Sequence, residues 1–113
     1  MLGSKKYEDI NPQSACEIIE KNKDNPKFIL LDVRNPQEYS EAHIEGSTLI
    51  NYQSPNFNEN VEKLDKNKTY LIYCRSGVRS AGAAKTMAKL GFKNLYNMVG
   101  GITAWGNSGL PLK

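Results

Sequence analysis

Thr69-Tyr70-Leu71-Ile72-Tyr73-Cys74-Arg75-Ser76-Gly77-Val78-Arg79-Ser80 is the stretch whose reading decides the fold. Its first five residues are a short apolar run that reads as a buried strand. A helix of small residues follows from about Ser80 to Leu90 and stops at Gly91. A strand that turns sharply into a helix gathers unpaired backbone N–H groups at one point, with the positive end of the helix dipole behind them. A cysteine held there, with arginines beside it, has its thiolate favoured over its thiol. The loop suits a nucleophilic cysteine that acts on an anionic substrate.

The distribution of basic residues points to the same place. Of 15 basic residues only Arg34, Arg75 and Arg79 are arginine, and two of these three lie within five positions of Cys74. Lysine supplies the remaining positive charge. Arginine, a rigid and permanently charged fork, is placed where an oxyanion would be held.

The chain has 113 residues, enough for one domain with a single core and no need of disulfides or metal. Its 39% hydrophobic and 24% charged content are those of an ordinary soluble globular protein. A net charge of +3 is scattered over lysines, with no basic run and no aromatic interleaving, which argues against nucleic acid as a partner. No apolar stretch approaches the roughly 20 residues of a membrane span, and no signal-peptide core opens the chain. Cys16 and Cys74, far apart and outside any CxxC pair, do not make a disulfide framework. The expectation is a monomer in the reducing cytoplasm, or in the periplasm or outside the cell if a leader has been removed. Residues 1–5 are expected to be a disordered tail.

Outward from the central stretch, strands and helices alternate. Lys6 to Ile10 reads as an edge strand, and Asn11-Pro12 opens a helix to about Lys21. Phe28-Ile29-Leu30-Leu31, ending at Asp32, is a strand of a parallel sheet. Asn35-Pro36-Gln37-Glu38 is a capping box. A strand is expected from Ser47 to Asn51, a mobile loop from Gln53 to Asn60, and a short helix from about Asn58 to Leu64. Asn94 to Met98 is the last strand; Gly100-Gly101 then turns into a helix carrying Ile102 and Trp105. The fold class is α/β with a mainly parallel sheet. In such sheets chemistry gathers beyond the carboxyl ends of the strands, where Asp32 and Cys74 both fall.

With these residues in place the chain resembles a single-domain rhodanese. Three motifs carry the likeness, in the family's order. They are Asp32-Val33-Arg34 with Pro36, Glu38, Tyr39 and His43-Ile44-Glu45-Gly46; then Tyr73 to Ser80; then Val99-Gly100-Gly101-Ile102 with Trp105 and Gly109-Leu110-Pro111. Ala42 stands where the family often has Gly, and Ser47-Thr48 replaces a common Ala-containing pair; neither touches the loop. The resemblance implies a three-layer α/β/α domain around a central, mainly parallel sheet of about five strands. It also implies sulfurtransferase chemistry without cofactor or metal. A cysteine takes a sulfane sulfur from thiosulfate or a related anionic donor, holds it as a persulfide, and passes it to cyanide, a thiol or a sulfur-acceptor protein.

Cys74 is then the nucleophile. Arg75 and Arg79 are candidates for the oxyanion end of the donor, with Arg79 the better placed to point inward. Ser76, Gly77, Val78 and Ser80 shape the cradle, Gly77 through a positive φ and the serines through their hydroxyls. Asp32 and Arg34 are read as a supporting ion pair rather than as catalytic groups. His43 is read as holding a turn, Cys16 as an inert packed thiol, and Ile102 and Trp105 as core anchors.

Two other functions share the motif. Cysteine phosphatases and arsenate reductases place Arg six positions after Cys, with His usually before it. Here the sixth position is Ser80, Arg79 comes one residue earlier, and Tyr73 precedes Cys74. The tighter cradle favours sulfur over a tetrahedral phosphate. The other alternative is a persulfide carrier or partner-binding module with slow turnover on small molecules.

Overall fold

The computed structural model describes residues 6–113. The tail expected at 1–5 lies outside them. Five strands form one parallel sheet: β1 (Glu8–Ile10), β2 (Phe28–Asp32), β3 (Thr48–Leu49), β4 (Thr69–Tyr73) and β5 (Asn94–Met98), in the order β1-β5-β4-β2-β3. Between them run α1 (Pro12–Lys21), α2 (Pro36–Glu41), α3 (Phe57–Glu62) and α4 (Val78–Lys89), with α5 (Gly101–Asn107) after β5.

Two of the helices, α1 and α2, start at side-chain caps. The Asn11 side chain accepts the Ser14 amide at 2.8 Å, and Pro12 follows at the first helical position. Asn35 and Glu38 close a full capping box on α2.

Alternate residues of the central strands face opposite ways. Leu31, Val33, Tyr70, Ile72 and Leu95 pack with Phe57 and Val61 of α3 and with Ala83, Ala84 and Met87 of α4. On the other face Leu30, Leu71, Tyr73 and Met98 pack with Ala15 of α1 and with Ile102 and Trp105 of α5. These two cores make the expected α/β/α layers. Each fully buried Leu or Ile contributes roughly 1.5–3 kcal/mol, so the central strands, where such residues cluster, hold the sheet ends in register.

Four boundaries differ from the sequence reading. β1 begins at Glu8 rather than Lys6. β3 is only two residues long, although the Ile50 and Tyr52 amides still donate to the Asp32 and Val33 carbonyls. The loop expected to run to Asn60 ends at Asn56, because Phe57, 3% exposed, anchors α3 in the core. Last, α4 begins at Val78, two residues before the expected start, and that shift builds the site. Among the described residues no helix is long and apolar enough to cross a membrane.

Candidate active site

Cys74 is the first residue after β4, at the carboxyl end of the middle strand. Gly77 then takes a left-handed conformation, φ +103°, and serves as the N-cap of α4. A Cβ there would lie 3.1 Å from the Gly100 amide nitrogen, so this position needs glycine for both φ and space. A glycine cap has no side chain to accept the first helical amides. The Cys74 sulfur does so instead: the Gly77 amide donates to Sγ at 3.1 Å and the Ser80 amide at 3.3 Å. The sulfur thus occupies the anion position at the N-terminus of α4.

Burial pushes the Cys74 thiol up. The Ser80 hydroxyl, 3.4 Å from the sulfur, and hydrogen bonds from the Ser80, Gly77 and Ser76 amides outweigh that effect, and the net direction is down. The residue is 1% exposed, so a reactant must enter the loop to meet it.

A second helix N-terminus holds the loop from behind. The Ile102 amide donates to the Cys74 carbonyl at 2.9 Å and the Thr103 amide to the Arg75 carbonyl at 3.1 Å. With these carbonyls turned towards α5, the loop N–H groups are left to face the sulfur. Gly101 permits the approach: its φ is +60°, and a Cβ on it would stand 2.5 Å from the Cys74 carbonyl oxygen.

The arginines divide. Arg79 is held in a bidentate pair with Glu38, Nη1 to Oε1 at 2.8 Å and Nη2 to Oε2 at 2.9 Å, which ties α4 to α2. That pair holds the Glu38 carboxyl down at about 2. One edge of the Arg79 fork is therefore engaged, and its charge acts on Cys74 through space. Arg75 is exposed and has no ion-pair partner among the described residues. It lines a small groove of about 180 Å³ with Arg34, Glu41, Thr103 and Leu112.

Ser76 and Val78 lie on the exposed rim, whereas Ser80 is fully buried beside the sulfur. Asp32 and Arg34 form a buried ion pair at 2.8 Å. It lies on the sheet face shared with Tyr73, opposite to the Cys74 side, and Arg34 also donates to the Ala42 carbonyl at 2.7 Å. His43 stacks on Tyr39, with Nδ1 2.9 Å from the Tyr39 carbonyl oxygen, and so holds the end of α2. Cys16 is half-buried against the α1/α5 core.

Sequence reasoning gave Glu38 only a capping role, because its contact with Arg79 spans 41 positions. It also passed over Asn97, which is 4% exposed and accepts from Ser80. A lone amide in the run Leu95-Tyr96-Asn97-Met98 was the available signal, since a buried polar group needs a partner.

Comparison with known proteins identifies the family. The family model of the rhodanese-like domain matches residues 15–108. The chain belongs to the rhodanese-like family. Among curated relatives of this chain is a thiosulfate sulfurtransferase GlpE of Coxiella burnetii, 31% identical, with 88% of this chain and 87% of that protein covered. A probable adenylyltransferase/sulfurtransferase MoeZ of Mycobacterium tuberculosis is 40% identical over 75% of the chain, which spans only 22% of that protein's length. In structure the chain is similar to a rhodanese-related protein of Thermoplasma volcanium, with a TM-score of 0.77 at 29% identity and 95% and 98% of the two chains covered.

Proposed function

We propose that this member of the rhodanese-like family is a sulfurtransferase that carries a sulfane sulfur on Cys74. The observation that carries the reading is the sulfur's position as the cap of α4, where two backbone amides converge on it. The similarity to a thiosulfate sulfurtransferase supports it.

The Cys74 thiolate attacks the sulfane sulfur of thiosulfate. The S–S bond of the donor breaks and sulfite leaves with the electron pair. The new persulfide ends in an anionic sulfur, for which the same amides and the Arg75 and Arg79 charges are favourable. An acceptor such as cyanide or a thiolate attacks that terminal sulfur and the Cys74 thiolate is regenerated. Each step moves one sulfur atom, a cargo small enough for a sulfur only 1% exposed. The tightness of the cradle favours this over a tetrahedral phosphate. The reaction calls for no cofactor, metal, nucleic acid, membrane or second copy of the chain.

A second reading, a persulfide carrier serving a protein acceptor, is favoured by one observation. Among the described residues the exposed large apolar side chains are Val78 at 77%, Val99 at 49% and Leu112 at 48%. Val78 adjoins Gly77 and Val99 adjoins Gly100, the two glycines in contact at the loop, and Leu112 shares the groove with Arg75. Steady-state turnover with thiosulfate and cyanide, set beside transfer to a protein thiol, separates the readings. An enzyme turns over with cyanide and loses turnover in Cys74→Ser; a carrier is slow with cyanide and fast with the protein. No transfer in either assay overturns both.

A further inference from the structure

Behind the Cys74 sulfur runs a chain of side-chain hydrogen bonds that neither backbone amide explains. Sγ lies 3.4 Å from the Ser80 hydroxyl; that hydroxyl lies 2.5 Å from Asn97 Oδ1; and Asn97 Nδ2 donates to Asp9 Oδ1 at 3.0 Å. Asp9 and Asn97 are register partners on neighbouring parallel strands, so their side chains share a face. Cys74, Ser80 and Asn97 are all buried.

The direction of each bond follows from what each group is able to do. A carboxylate only accepts, so Asp9 turns the Asn97 amide to present N–H to it and C=O to Ser80. A carbonyl only accepts, so the single Ser80 proton goes to Asn97. Ser80 then faces the sulfur with a lone pair. That arrangement satisfies a thiol, which donates its S–H, and tolerates the inner sulfur of a persulfide, which bears neither proton nor full charge. It does not suit a free thiolate. To hydrogen-bond a thiolate the hydroxyl must turn away from Asn97, leaving two oxygens face to face at 2.5 Å.

We propose that Asn97, oriented by Asp9, is a positioning residue that withholds the Ser80 proton from the Cys74 thiolate and so biases the sulfur towards its loaded state. The inference rests on the sulfur-transfer reading only for that last consequence. A thiolate deprived of one hydrogen bond is the stronger nucleophile towards a sulfur donor, since nucleophilicity rises with thiol pKa. The charged groups on the sulfur's side are Arg79 on α4 with its partner Glu38 on α2, Arg75 on the loop and Asp9 on β1, with the Asp32–Arg34 pair at the end of β2 on the opposite sheet face. None of them but Asp9 bonds to the Ser80–Asn97 pair.

The test is the pH dependence of Cys74 alkylation by iodoacetamide, read by mass spectrometry in a Cys16→Ala background. Asn97→Leu keeps the branched outline in a somewhat larger side chain and removes the acceptor, which frees the Ser80 proton for the thiolate. The midpoint should fall, giving about two- to tenfold faster alkylation below it, the effect of one hydrogen bond. Asp9→Asn, on an exposed strand, lets the amide turn over and should shift the midpoint the same way by less; it decides the matter if Asn97→Leu does not fold. A mere loosening of the loop would raise the midpoint instead. In a Ser80→Ala background the shift should vanish. A midpoint that stays or rises in the folded variants, or a fall that survives without Ser80, overturns the proposal. Alkylation needs no sulfur donor: failure to form a persulfide would sink the sulfur-transfer reading alone, and an unmoved midpoint beside normal persulfide formation would sink this one alone.

Discussion

The Ile102 amide donates to the Cys74 carbonyl at 2.9 Å, so the residue that offers its sulfur to one helix N-terminus offers its carbonyl to another. The nucleophile is fixed from both sides by backbone groups, which do not depend on side-chain rotamers. Gly101 makes the second contact possible, because any Cβ there meets the carbonyl oxygens of Cys74 and Arg75 and forces strain at positive φ.

Gly101→Ala should therefore cost about 2–4 kcal/mol of stability, from φ strain together with a backbone clash. Because the loop must move to relieve that clash, sulfur transfer should fall more than tenfold even at temperatures where the variant remains folded. Thermal melts and turnover on the same preparation check this. A variant with parental melting and parental rate would show that α5 does not position the loop.

The Glu38–Arg79 pair predicts an acid response with a definite sign. The folded carboxyl titrates at about 2, below its ordinary value. A depressed pKa contributes stability that is complete above the unfolded value, about 4.3, and is lost as pH falls through the folded one. Glu38→Gln should be less stable than the parent at neutral pH by about 1–2 kcal/mol, the pair being still reached by solvent. The gap should close between about pH 4.5 and pH 2. Urea unfolding across that range reads the difference directly; a gap that stays constant with pH would show the pair contributes nothing by charge.

Because Arg79 is engaged with Glu38 while Arg75 is exposed, the two arginines should fail differently. Arg79→Ala removes a cation near the thiolate and should raise the alkylation midpoint of Cys74, slowing alkylation at neutral pH about three- to tenfold. Arg79→Lys keeps the charge without the fork and should restore most of the midpoint while losing part of the tie to α2. Arg75→Ala should leave the midpoint close to the parent's and raise KM for thiosulfate. Coincident alkylation curves for the parent and Arg79→Ala would show that Arg79 has no electrostatic hold on the sulfur.

Much of this was legible in the residues. The apolar runs before Asp32 and Cys74, the Asn-Pro caps of α1 and α2, and the glycine-containing turn after Cys74 each follow from local rules, and the fold follows from their alternation. The start of α4 falls before the expected Ser80 because Gly77 caps the helix in a left-handed conformation with Cys74 as acceptor, so Val78 and Arg79 are already helical. The roles of Glu38 and Asn97 are set by partners far along the chain, Arg79 and Ser80, which only the folded sheet brings together. The placement of Arg34 was half legible: its pairing with Asp32 is local, but the sheet face it occupies is decided by Tyr73 on the neighbouring strand.

The most direct test of the account is peptide mass spectrometry after brief treatment with thiosulfate. The parent should carry one added sulfur on the peptide containing Cys74, none on that containing Cys16, and the label should be removed by cyanide. Cys74→Ser, isosteric but unable to hold a persulfide, should carry none while melting as the parent does. A folded parent protein with no added sulfur on Cys74, or with the sulfur on Cys16 instead, would contradict it.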